Sequence, residues 1–144
     1  MQNGRRLAFD YGSTRIGVAV SDQTGLIAIP VITLQRSHLE LASQLKELFH
    51  EYQPMYVIVG EPRHLSGASS QTMTDMTDFL DLLRSLTSAP IHLIDERMST
   101  VSAARTLREL GHNAKNSKDK IDAMAAVAIL ESALNKERIA GTLG

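Results

Sequence analysis

Hydrophobic and polar positions change period as the chain proceeds. Arg5–Phe9 and Ile16–Ser21 read as strands around the tight turn Tyr11-Gly12-Ser13-Thr14-Arg15, and Gly17 and Ala19 alternate with Val18 and Val20. A turn at Asp22–Gly25 leads to a third strand, Leu26–Leu34, in which Pro30 calls for an edge position or a bulge. These three strands form an antiparallel meander.

The period then becomes helical. Leu39, Leu41, Ala42, Leu45, Leu48 and Phe49 share one face, with Ser37 as the expected cap. Pro54 introduces MYVIVG, a short unbroken apolar run of the kind found in buried parallel strands. A helix follows from about Thr72 to Ser85, and Pro90 precedes a last strand, IHLI. Ser99 or Thr100 caps a helix to Leu110, stopped by Gly111. His112–Ser117 reads as a polar, mobile segment before a final helix over Lys118–Ile139, with 139–144 as a loose tail. The order βββαβαβαα predicts one α/β domain over residues 1–144, built on a mixed sheet.

Composition narrows the class. At 43% hydrophobic residues, 144 residues suffice for one core; a chain of this size buries roughly 68–70% of its unfolded surface. No stretch approaches the ~20 apolar residues of a membrane span. The N-terminus has no apolar signal core, and there are no cysteines for disulfides or Cys-ligated zinc. A cytoplasmic protein with no membrane partner is expected. The net charge of −1 is uninformative, but between Glu96 and Lys120 six bases (Arg97, Arg105, Arg108, Lys115, Lys118, Lys120) face three acids (Glu96, Glu109, Asp119). That imbalance fits either phosphate contact or ordinary helix surface.

Three acids stand where the topology gathers them. Asp10 closes the first strand, Glu96 follows the last, and Asp122 precedes the buried run AMAAVAIL. Open sheets of this kind place sites beyond the carboxyl ends of their parallel strands. Carboxylates assembled there need neutralising, and Mg²⁺ or Mn²⁺ prefers such hard oxygen donors. Two ions about 3.5–4 Å apart activate water and stabilise the leaving oxygen in phosphodiester hydrolysis. On that reading Asp10 bridges the ions, while Glu96 and Asp122 complete their shells. Each acid also has a plainer reading: Asp10 as a turn residue, Glu96 as a surface ion-pair partner, Asp122 as a helix-start acid.

FDYGSTRIGVAVSD, VIVGEPRHLSG, IDERMST and KIDAMAAVAILES, in this order, resemble the YqgF-type pre-16S rRNA nucleases, relatives of the Holliday-junction resolvases. The resemblance spans nearly the whole chain. It implies a ribonuclease H-like five-stranded mixed sheet, order 3-2-1-4-5 with strand 2 antiparallel, flanked by helices on both faces. It also implies catalytic, metal-binding acids at Asp10, Glu96 and Asp122, phosphate contacts at Arg15 and Arg97, and processing of the 5′ end of pre-16S rRNA in ribosome biogenesis. Gly12, Thr14, Gly60 and Thr100 belong to the same motifs as shaping residues. Where the family usually has Gly-Leu-Pro, this chain has Gly60-Glu61-Pro62, which adds an acid beside the expected cleft.

Asp119, three residues before Asp122, is either a fourth metal ligand or an exposed helix-start acid. Lys115, Lys118 and Lys120 at the start of the last helix, and Arg63 after the fourth strand, are further candidates for nucleic-acid contact. The five histidines show no zinc spacing, Asp75, Asp78 and Asp81 read as a solvated helix face, and six aromatics are too few for base stacking to dominate. Three rivals stand beside RNA processing. One is resolution of branched DNA, usually by a homodimer rather than a monomer. Another is a nucleotide-binding module, for which one domain is too little. The third is a non-catalytic nucleic-acid or ribosome-associated binding role.

Overall fold

The computed structural model describes residues 2–12, 14–61, 70–95 and 114–141. Five strands, β1 (Arg6–Tyr11), β2 (Arg15–Ser21), β3 (Ala28–Gln35), β4 (Tyr56–Glu61) and β5 (Ile91–Asp95), form one sheet in the order β3-β2-β1-β4-β5. β2 runs antiparallel to both neighbours, whereas β1, β4 and β5 are parallel. The expected mixed sheet and its strand order are therefore present. Helices α1 (Leu41–Tyr52), α2 (Ser70–Leu86) and α3 (Ala114–Ala140) complete the described elements.

Alternation along the strands sorts the side chains onto two faces. Leu7, Phe9, Ile16, Val18, Val57 and Val59 pack with Leu45, Phe49, Phe79 and Leu83 of α1 and α2. Phe9 meets Phe49 and Phe79 edge-on, at 6.1 and 5.8 Å between ring centroids. The opposite face carries Ala8, Ala19, Tyr56 and Ile58 against Ala126, Val127, Ile129, Leu130, Ala133 and Leu134 of α3. Small residues on both sides let the α3 backbone lie close to the sheet, which explains the run AMAAVAIL.

β3 is an edge strand, and its pairing slips beside Pro30: Val18 faces Ile32 and Ala19 faces Pro30, so Val31 is extra. A proline donates no ladder hydrogen bond, so edge and bulge both accommodate it.

The expected third strand shifts to Ala28–Gln35 and the second helix starts at Ser70, and two other helix starts move further. Ser37 is not the cap of α1: the chain turns through 36–40, where His38 N–H donates to Gln35 O and Leu41 N–H to His38 O, and the helix starts at Leu41 after Glu40. Leu39, assigned to the helix face, lies fully exposed before it. The last helix begins at Ala114, not Lys118, so residues 114–117 are helical. Ala and Lys are good helix formers, and extending an existing helix avoids the cost of a new nucleus. The helix expected to end at Leu110 lies outside the described residues.

At the end of the sheet remote from Asp10, Arg6 is fully buried. Its Nη2 donates to Glu137 Oε2 at 3.0 Å and to Gln2 O at 2.8 Å. The Tyr56 hydroxyl donates to Glu137 Oε1 at 2.5 Å. Burial pushes the Glu137 carboxyl up, but hydrogen bonds from Arg6 and Tyr56 and the Arg6 charge hold it below its ordinary range. This group ties the last turns of α3 to β1 and β4. Among the described residues, no helix is long and apolar enough to cross a membrane.

Candidate active site

Because β1, β4 and β5 are parallel, their carboxyl ends share one edge of the sheet, where Asp10 pairs with Gly60 and, one residue further on, Glu61 pairs with Asp95. Residue 96 follows Asp95 directly in the chain. Asp10 alternates with Phe9 and so lies on the α3 face, with Ala8. Its cross-strand partner is Gly17 on β2 and its lateral partner is Gly60 on β4. Neither neighbouring position carries a side chain.

Gly17 decides what approaches Asp10. A Cβ built there would lie 1.9 Å from the Asp122 carbonyl oxygen and 3.0 Å from Ala123 N. The α3 backbone therefore occupies the space a side chain would fill. Directly opposed residues on antiparallel strands have Cβ positions about 4.5–5.5 Å apart, so this contact brings the Asp122 segment beside Asp10. Two of the three expected acids are thus gathered at one edge and on one face.

Arg15, the first residue of β2, lies on that face too. Its Nε donates to Asp122 Oδ2 at 2.5 Å, with the two side chains 27% and 17% exposed. The preceding turn is closed by Gly12 N–H donating to Arg15 O at 2.9 Å, and a Cβ on Gly12 would crowd the same oxygen. Thr14 contributes its backbone: its carbonyl accepts from Arg36 N–H at 3.0 Å.

Arg36, not anticipated from the sequence, braces the turn from the other face. Its Nη1 donates to Gly12 O at 2.9 Å, and its Nη2 pairs with Asp75 at 3.0 Å. The guanidinium lies 4.3 Å above the Tyr11 ring, which stacks on Phe79 at 4.4 Å. Burial raises the Tyr11 hydroxyl pKa, and the Arg36 charge opposes the rise. Asp75 therefore departs from the expected solvated face: it is half-buried and paired, while Asp78 and Asp81 are exposed. No spacing rule links Arg36 to a turn 24 residues earlier. Gly17 did carry a signal, since a glycine inside a strand often marks close backbone approach.

Glu96, Arg97, Thr100 and Arg63 lie outside the described residues. Lys115, Lys118, Asp119 and Lys120 are placed by their backbone in the first turns of α3, and Asp122 sits further into the helix than expected. Among the described residues, no group of three or more His, Cys, Asp or Glu is arranged to hold a metal. Asp10 and Asp122 nevertheless suit a hard divalent cation: both offer carboxylate oxygens, and the Asp122 backbone packs on Gly17, the cross-strand partner of Asp10.

Comparison with known proteins bears on the family and the fold. The sequence model of the RuvX family, described as Holliday junction resolvase, matches residues 4–136. A Streptomyces avermitilis protein is 42% identical over 143 residues, covering 98% of this chain and 92% of its own length. A Mycolicibacterium smegmatis protein is 42% identical over 142 residues, with 95% and 84% covered. A Clavibacter michiganensis protein is 42% identical over 144 residues, with 99% and 89% covered. All three are provisionally named pre-16S rRNA nucleases. Among solved structures, Thermus thermophilus RuvC in complex with a Holliday junction substrate aligns with a TM-score of 0.63. At 18% identity, with 94% of this chain and 96% of that one covered, the likeness speaks for the fold.

Proposed function

Because this chain belongs to the RuvX family of Holliday junction resolvases, we propose that it is a divalent-metal-dependent nuclease that processes the 5′ end of pre-16S rRNA in the cytoplasm. The observation that carries the chemistry is the packing of the Asp122 backbone on Gly17, the cross-strand partner of Asp10. The names of its relatives favour ribosomal RNA over branched DNA.

Asp10, Asp122 and Glu96 would hold Mg²⁺ or Mn²⁺, two ions in the full site, with Asp119 as a candidate additional ligand. Bound metal supplies an activated water and stabilises the leaving oxygen of the phosphodiester. The chain's own residues set position. Asp10 is fixed between two glycine-bearing strands, with the α3 backbone over Gly17 and no side chain at Gly60. The Gly12–Arg15 turn, clamped by Arg36, presents Arg15 at the same edge. Lys115, Lys118 and Lys120 in the first turns of α3, with Arg63 and Arg97, would contact phosphates, which set register without reading bases. The active unit is one domain, as a monomer or a homodimer.

The test is cleavage of a 16S-precursor 5′-leader RNA and of a synthetic four-way DNA junction, each with Mg²⁺ or Mn²⁺, by wild type and Asp10→Asn. Metal-dependent cutting of the RNA alone, lost in the variant, is the expected result. Cutting of the junction alone would replace the RNA reading with resolution of branched DNA. Failure to cut either would favour a non-catalytic binding role.

A further inference from the structure

We infer that Arg15 is an internal counter-cation that holds Asp122 until metal arrives and is then handed to a substrate phosphate. The inference rests on the metal-dependent reading above and adds an order of events to it.

Arg15 is the first residue after the turn, on the face shared by Asp10, Gly17 and Asp122, and its Nε occupies Asp122 Oδ2 at 2.5 Å. Among the described residues, Arg15 is the cation paired with Asp122, and it offsets that carboxylate's charge. A divalent ion coordinates a carboxylate oxygen at about 2.0–2.1 Å for Mg²⁺. An ion on Oδ2 would draw on the electron density that holds the guanidinium, and an ion on the other carboxylate oxygen would still face a guanidinium across a single carboxylate group. Repulsion between the two cations favours release of the guanidinium, the more weakly held of them.

The pair permits this. Its side chains are 27% and 17% exposed, unlike the Arg6–Glu137 pair at 0% and 5%, so Arg15 has a short path to solvent. Arg15 stands one residue past a turn at the sheet edge, so its released fork remains where a phosphodiester lies against Asp10. A planar guanidinium suits phosphate oxygens in two-point contact. Metal binding thus exposes a phosphate ligand, and nucleic-acid affinity rises with metal occupancy for a reason additional to direct metal–phosphate contact.

The test needs no turnover. The Nε–H resonance of Arg15, assigned by its loss in Arg15→Gln, is followed by NMR as Mg²⁺ is added to the full chain without nucleic acid. Mn²⁺ affinity of wild type and Arg15→Gln is measured calorimetrically, with thermal melts confirming that both are folded. The Arg15 resonance is expected to shift in step with metal occupancy. Arg15→Gln is expected to bind Mn²⁺ about two- to fivefold more tightly, the range for loss of a competing, partly exposed ion pair. Metal binding with an unmoved Arg15 resonance, or with unchanged or weaker affinity in Arg15→Gln, would overturn the hand-over alone. No metal binding by wild type would overturn both the hand-over and the metal-dependent reading.

Discussion

Replacing Gly17 by alanine adds one methyl group where the helix backbone already lies. The new Cβ would sit 1.9 Å from the Asp122 carbonyl oxygen, against the 3.4 Å at which ordinary contact begins. The deficit is about 1.5 Å. The obstacle is backbone on both sides, so no side-chain rotation relieves it. Either β2 bends away or α3 lifts at Asp122. Overpacking of this kind costs typically ~1–3 kcal/mol, occasionally more. For a domain of this size that corresponds to a melting point lower by roughly 3–12 °C.

Activity should suffer more than stability. A lift of α3 moves Asp122 away from Asp10, and a misplacement of about 1 Å in a reacting geometry can cost on the order of 10²-fold in rate. Gly17→Ala is therefore expected to fold with a modestly lowered Tm, to bind Mn²⁺ more weakly, and to cleave at least about 10²-fold more slowly. Thermal melts, calorimetry and single-turnover cleavage of the leader RNA report the three quantities. A variant with wild-type Tm and undiminished metal affinity would refute the reasoning, because the Gly17 contact would then not be what holds Asp122 in place.

Other expectations concern the same two ends of the sheet. Asp10→Asn should abolish metal-dependent cleavage while leaving stability within about 1 kcal/mol of wild type, since it relieves repulsion at a site built for a cation; a large loss of stability with retained cleavage would contradict it. Glu137→Gln leaves Arg6 charged and buried without its counter-ion, so unfolding in urea should show a loss of about 3–5 kcal/mol. The Glu137 carboxyl is held below its usual value, so its contribution is complete above pH ~4.5 and fades as pH falls through the lower folded value. A pH series of melts should show this acid loss in wild type and less of it in Glu137→Gln. Arg36→Ala removes a partly exposed ion pair and a ring contact, together worth about 1–2 kcal/mol; crystallography of the variant should show a displaced Gly12–Arg15 turn, and an unmoved turn would count against the brace.

Much of this molecule was legible in the chain. Strands that change face every residue, and proline where a ladder must break, leave period-two patterns and fixed anomalies; Pro30 and its bulge are an example. The place of Asp10 near the end of β1 was legible because it ends an apolar run, and the place of Asp122 on the last helix because it precedes a run too apolar to be exposed. What was hidden depends on distant partners. Arg6 and Glu137 are separated by 131 residues, and each looks like surface charge until the fold closes. Ser37 had the right chemistry for a cap, but the chain needed those residues to turn from β3 into α1. The polar start of α3 has no apolar rhythm, so its helicity follows from propagation, which leaves little trace in a pattern.

The two ends of α3 show how one helix serves stability and chemistry together. Asp122 and Glu137 are fifteen residues apart, about 22 Å along the axis. Both acids meet an arginine of the sheet, yet the environments differ. Arg6 and Glu137 are sealed from water, and Tyr56 and backbone carbonyls complete their hydrogen bonding, so breaking that pair strands a buried charge. Arg15 and Asp122 remain partly wet, where exchanging one cation for another costs far less. On the proposed function this edge would admit a metal and a polyanion and then release product, so its charges could not be locked in low dielectric. The helix must also not drift when they change partners. Anchoring α3 through a sealed pair at its far end, and through backbone contact at Gly17 near its working end, leaves the carboxylate of Asp122 free to exchange partners while its backbone stays fixed. If that division holds, Glu137→Gln should lower the Tm yet leave the Mn²⁺ affinity of the folded fraction within about twofold of wild type, a limit of ~0.4 kcal/mol; a larger loss would mean that the far anchor also sets the geometry of the metal site.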